Sequence, residues 1–150
     1  MLMPRFGKFG AHENKFGHAY HRYILVGSFL TPHGESWEVV RRAKGHKLCL
    51  SPFILTEVWR TLRVSRLKKK YRCSDAELAQ YVQHLRSISR VQTPKRSVRA
   101  CADPDDDHIL ACAVDVNADY LVTRNVKDSP KTYRGVTVIQ PGKFLQLVRP

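Results

Sequence analysis

Short apolar runs separated by helical patterns constrain this chain more than any other feature. Tyr-Ile-Leu-Val (23–26), Lys-Leu-Cys-Leu (47–50), Tyr-Leu-Val-Thr (120–123) and Val-Thr-Val-Ile (136–139) have the length and character of buried strands. Amphipathic patterns lie between and after them. Ser51-Pro52 supplies an N-cap and a first-turn proline, and Ile54, Val58 and Leu62 follow at four-residue spacing. Ser74-Asp75-Ala76-Glu77 has the pattern of a capping box and leads into Leu78, Tyr81, Val82, Leu85 and Ile88 on one stripe. Asp103-Pro104 opens a further helix, and Pro141-Gly142 precedes a last one ending near Val148. Strands that alternate with helices predict an α/β domain in which helices cover both faces of a parallel sheet. The 150 residues suit one such domain, and no internal repeat is visible.

Composition narrows the functional classes. Hydrophobic residues make up 43% of the chain, enough to build a core and to exclude wholesale disorder. The longest nearly unbroken apolar run, 23–30, is far short of a bilayer span, and no leader-like segment opens the sequence, so a cytoplasmic protein with no membrane partner is expected. The four cysteines, at 49, 73, 101 and 112, form no C-x-x-C pair and read as buried small hydrophobes rather than a zinc site or disulfide framework. Charge is more telling. Lys and Arg number 26 against 13 Asp and Glu, a net +13, and the excess is confined to residues 1–99, which carry 20 basic and 6 acidic groups. Such a surface attracts polyanions, nucleic acid first among them. Residues 1–22 repeat Phe-Gly at 6–7, 9–10 and 16–17 among lysines and histidines without a helical or alternating period. They read as a basic, poorly ordered arm ahead of a domain at 23–150.

The sharpest chemical signal is Asp-Pro-Asp-Asp-Asp-His-Ile-Leu-Ala-Cys-Ala-Val (103–114), with four acids in five positions at a helix start. Capping and the helix dipole explain such a cluster in the ordinary way. Asp106, however, falls in register with Ile109, Leu110 and Ala113, at the head of the apolar stripe, while Asp107 lies one position round. A carboxylate there calls for a partner, and a divalent cation is a natural one. Both readings stay open on sequence. Glu57 flanks the stripe of Ile54 and Val58 in a basic stretch, so either an ion pair three or four residues away or a share in a metal accounts for it. Asn125 follows the strand at 120–123, at the end where open α/β sheets place ligands, although a polar turn there needs no function. Seven cations occupy residues 60–72. Among them Arg60, Arg63, Lys68, Lys69 and Lys70 read as a solvated helix face or as a seat for an RNA backbone. No G-x-S-x-G and no phosphate-cradling G-x-x-x-x-G-K occurs, which argues against a serine hydrolase and a nucleotide hydrolase.

Three pieces, 50–62, 103–130 and 133–148, together resemble the PIN-domain family, in particular its VapC-like group of bacterial ribonucleases. The resemblance spans roughly residues 24–148. It implies a PIN-like parallel sheet between helices and an RNA-cleaving hydrolase that uses Mg²⁺ or Mn²⁺ at four acidic positions. Carried over, the second position is Glu57, the third Asp106 with Asp107 as fallback, and the fourth Asn125. It also makes Tyr23–Val26 the start of a helix, against the strand read from the residues. Homodimerisation and a small antitoxin partner are implied in the same way.

The first position departs from the pattern. Where the family carries Asp-Thr-Asn after an apolar strand, this chain reads His21-Arg22-Tyr23. The codons CAT CGA TAC give His-Arg-Tyr, and one base later the same letters give Ile-Asp-Thr, so the missing motif can lie in a shifted frame. Imidazole suits Mn²⁺ better than Mg²⁺, and a neutral Asn125 removes further charge. The expected protein is therefore a metal-dependent endoribonuclease, the toxin of a toxin–antitoxin pair, impaired by a weakly bound metal. The alternative is a non-catalytic PIN module that binds RNA or an antitoxin.

Overall fold

A computed structural model describes residues 17–20, 22–43, 46–64 and 69–148. The strands are β1 (Gly17–Tyr20), β2 (Lys47–Leu50), β3 (Ser89–Val91), β4 (Tyr120–Val122), β5 (Thr132–Tyr133) and β6 (Val136–Ile139). The helices used below are α1 (Arg22–Leu30), α2 (Glu35–Ala43), α3 (Pro52–Leu62), α4 (Asp75–Ile88), α5 (Pro104–Asp115) and α6 (Pro141–Leu147). One sheet runs in the order β3-β2-β1-β4-β6-β5, parallel throughout except for the edge hairpin β5–β6. That hairpin turns on Arg134-Gly135, both at positive φ (46° and 87°), the backbone that suits a two-residue turn to the twist of its strands. The α/β architecture expected from the alternating runs is the one observed.

Two segments fold differently from the residue-level reading. Tyr23–Val26 is not a strand but the first turns of α1. Ile24, Leu25 and Val26 are all buried, and a helix apolar on every side is one enclosed by its neighbours. A short apolar run carries no period to tell that helix from a strand. The Tyr81 hydroxyl on α4 donates to the Leu25 carbonyl (2.7 Å), and burial pushes its pKa up to about 12. Gly27 allows α2 to press close, since a Cβ there would meet Ser36 Oγ at 2.9 Å. The second surprise is β1, which falls inside the segment read as an arm. It is the centre of the sheet, with Ala19 in register with Cys49 on β2 and Leu121 on β4. The Phe-Gly repeats and lysines of residues 1–16 lie outside the described residues.

Other expectations hold in detail. Ser51 caps α3, accepting from Ile54 N–H at 3.1 Å, and Ser74 caps α4, accepting from Glu77 N–H at 3.1 Å. Cys49, Cys73 and Cys112 are buried free thiols, with Cys101 half-buried.

Candidate functional site at the carboxyl edge of the sheet

In a parallel sheet each connecting helix begins where a strand ends, so the helix starts and strand ends collect at one edge. The reversal of strand order lies between β1 and β4, and this is the crevice where open α/β sheets bind ligands. The first turn of α5 comes to this edge. Ala102 N–H donates to the Asp128 carbonyl (2.9 Å) beyond β4, and His108 Nε2 lies 3.2 Å from Ser51 Oγ at the start of α3. The His108 ring also packs on Phe53, with centroids 4.3 Å apart.

Asp106 occupies the head of the apolar stripe, as its spacing predicts. It is 4% exposed, in line with buried Ile109, Leu110 and Ala113. It faces a small recess lined by Ile109, Leu121, Thr123 and Ser129. Oδ1 of Asp106 is a buried oxygen to which no described residue donates a hydrogen bond, although the side chain is engaged in other ways. Thr123 and Ser129 are the site residues the sequence did not single out. A hydroxyl closing an apolar strand run was the one signal for Thr123, and Ser129 had none. Nearby, burial pushes the Cys101 thiol pKa up, and the charges of Asp107 and Asp106 add to that shift.

Asp107 points elsewhere. Its Oδ1 accepts the N–H groups of Ala100 and Cys101, both at 2.8 Å, fastening the segment before α5, and it lines a different cavity. Glu57 is half-buried and pairs with Arg60 three residues on (3.1 Å), the ordinary helix-face contact. Asn125 is exposed. Its N–H donates to Thr123 Oγ1 (3.1 Å), and it opens a 3₁₀ turn, Val126–Asp128. Before it, Arg124 reaches back to α2, donating to Ser36 Oγ at 2.8 Å and pairing with Glu35 at 3.3 Å.

The basic run does not form one helix face. α3 stops at Leu62 with Arg63 as its C-cap, Arg63 lies over the Trp59 ring and Lys70 over Tyr71. A polyanion laid along α3 would therefore meet Arg60 and Arg63 and then leave the helix. Lys69 and Lys70 are exposed, while Lys68 and His21 lie outside the described residues.

The PIN-domain family model matches residues 24–127, more than two thirds of the chain. The chain belongs to the PIN-domain family. The match takes in Glu57, Asp106, Asp107 and Asn125 and begins after β1, so residue 21 is outside it. No curated protein matches the chain. PIN domains are nuclease-type proteins that bind RNA and generally use divalent metals.

The donors described here do not fit a tightly held ion. Among the described residues no three of His, Cys, Asp and Glu converge closely enough to ligate one. Asp106 has two hydroxyls beside it, Glu57 is paired with Arg60 and Asp107 with two amides. Mg²⁺ favours six oxygen ligands in near-octahedral geometry, several of them waters, anchored by carboxylate charge. One buried carboxylate with two neutral neighbours falls short of that. Among the described residues, too, no helix is long and apolar enough to cross a membrane.

Proposed function

We propose that this PIN domain is a VapC-like endoribonuclease, the toxin of a toxin–antitoxin pair in the cytoplasm, with its activity impaired by a poor hold on Mg²⁺ or Mn²⁺. The observation that carries the reading is the buried Asp106 carboxylate, set at the crevice between β1 and β4 beside Thr123. Burying a carboxylate at a ligand-binding edge is costly, and folds retain such groups where chemistry needs them. Asp106 is the residue that would hold the ion, Asn125 lies at the mouth of the same edge, and the basic surface would seat RNA. A small antitoxin and a second copy of the chain are the partners this reading implies.

A second reading has its own support. The pairing of Glu57 with Arg60, and of Asp107 with backbone amides, suits a module that binds RNA or an antitoxin without cutting. RNA cleavage separates the two, measured in Mn²⁺ and then Mg²⁺ on the native chain, His21→Asp and His21→Asp/Asp106→Asn. The impaired-nuclease reading expects His21→Asp to cut, the double variant to be silent and the native chain to be at least tenfold slower than His21→Asp. Binding by all three with cleavage by none moves the protein to the second reading. Vigorous Mg²⁺-dependent cleavage by the native chain overturns the poor metal hold.

A further inference from the structure

The segment from Gln92 to Ala102 has no helix or strand, yet it is fastened along its length. Gln92 N–H donates to the Leu50 carbonyl (2.9 Å), Lys95 N–H donates to the Asp115 carboxylate, and Ala100 and Cys101 donate to Asp107. Val98 is a buried peg between these ties, 6% exposed. Both carboxylates thus hold backbone amides of the segment and not its cationic side chains. Lys95, Arg96 and Arg99 stand exposed and form no ion pair among the described residues.

Those three cations line a cavity of about 670 Å³ between the segment and α5, together with the hydroxyls of Thr93 and Ser97 and the ring of His108. The single acid on its wall, among the described residues, is Asp107. The volume lies within the range of roughly 300–1,000 Å³ usual for ligand sites. Three cations within five residues on an immobilised backbone suit a series of phosphates, and a fixed loop loses little entropy on binding. The wall at His108 offers a flat ring, braced by Phe53 and Ser51, against which a base can stack.

We infer that this recess seats the phosphates of an RNA strand and leads it to Asp106. The inference rests on the RNA-directed reading above. Asp106 and Asp107 are consecutive residues of one helical turn, the first facing the site and the second the recess, so a strand lying in the recess passes to the site across that turn. The recess, rather than the 60–72 run alone, is the principal seat of the backbone.

The test is the binding of a fluorescently labelled single-stranded RNA to the full chain, by anisotropy, across a range of NaCl. Arg96→Gln/Arg99→Gln is compared with Arg86→Gln/Lys143→Gln, which removes the same charge from exposed positions outside the recess. The recess variant is expected to bind roughly tenfold more weakly, with the slope of log K against log salt shallower by about 1.4, the value for two lost single-strand phosphate contacts. The remote variant is expected to stay near the native slope. Equal losses in both variants, or none in the recess variant while the native chain binds RNA, overturn the recess and leave the RNA reading standing. A native chain that binds no RNA fails both. Millimolar AMP at constant ionic strength should not displace the strand, and displacement would overturn the assignment in favour of a free-nucleotide pocket.

Discussion

Ser51 is fully buried and serves two elements at once. Its Oγ accepts from Ile54 N–H, closing the first turn of α3, and lies 3.2 Å from His108 Nε2 on α5. Ser74 performs only the first task, and it is exposed. Loss of an N-cap costs about 1 kcal/mol, and loss of a buried hydrogen bond about 1–3 kcal/mol more. Ser51→Ala should therefore destabilise the protein by about 2–4 kcal/mol and Ser74→Ala by about 1 kcal/mol, read from urea unfolding midpoints. Equal costs would show that the contact with His108 contributes nothing. Residue by residue, the sequence disclosed what helical geometry controls. Rotation along α5 puts Asp106 inward and Asp107 aside, and the spacing of Glu57 and Arg60 already offered the ion pair that forms. It did not disclose that Asp107 holds Ala100 and Cys101, because those partners sit in a segment with no period to read.

At the scale of elements, one side chain of α2 ties the end of the last helix in place. Arg42 Nη1 donates to the carbonyls of Leu145 and Val148, both at 2.9 Å, while its Nε donates to Glu38 (2.7 Å). Hydrogen bonds from Arg41 and Arg42 draw the Glu38 pKa from 4.5 down to about 2, against a smaller opposing effect of burial. The folded state thus holds this carboxylate ionised more firmly than the unfolded chain does. The resulting stability is fully present above about pH 4.5 and is lost as pH falls towards 2. The urea midpoint should fall more between pH 6 and pH 3 for the native chain than for Glu38→Gln, and parallel declines would remove Glu38 from the account. Elements were legible in proportion to their apolar content. β2, β4, β6, α3 and α4 announce themselves by runs or stripes. β3 (Ser-Arg-Val) and β1 (Gly-His-Ala-Tyr) pair through backbone groups that every sequence carries, so neither pattern marks them. The apolar Tyr23–Val26 run misled for the opposite reason, since three consecutive buried residues, Ile24, Leu25 and Val26, look alike in a strand and a helix.

For the molecule as a whole, topology and charge act together. The order β3-β2-β1-β4-β6-β5 brings parts far apart in sequence, Ser51, Asp106 and Thr123, to one edge, and no local pattern could have foretold which of them share a recess. The excess charge, +13, is the other global property, and all of it lies on residues 1–99. Like charges held close in the folded state repel one another, and added salt relieves that strain as the screening length falls from about 30 Å at 0.01 M to about 10 Å at 0.1 M. The surface ion pairs that salt weakens include Glu38 with Arg41 and Arg42, Glu57 with Arg60, and Glu35 with Arg124. Such pairs are worth about 0–1 kcal/mol each. Repulsion should win, and Tm should rise by a few degrees between 10 and 200 mM NaCl in the absence of RNA. Over the same range RNA affinity should fall, because the cations that repel each other in the free protein are those that displace counterions from the strand. A Tm that drops with salt would mean that local pairs, not net charge, govern the fold, and that the cationic surface is already neutralised from within.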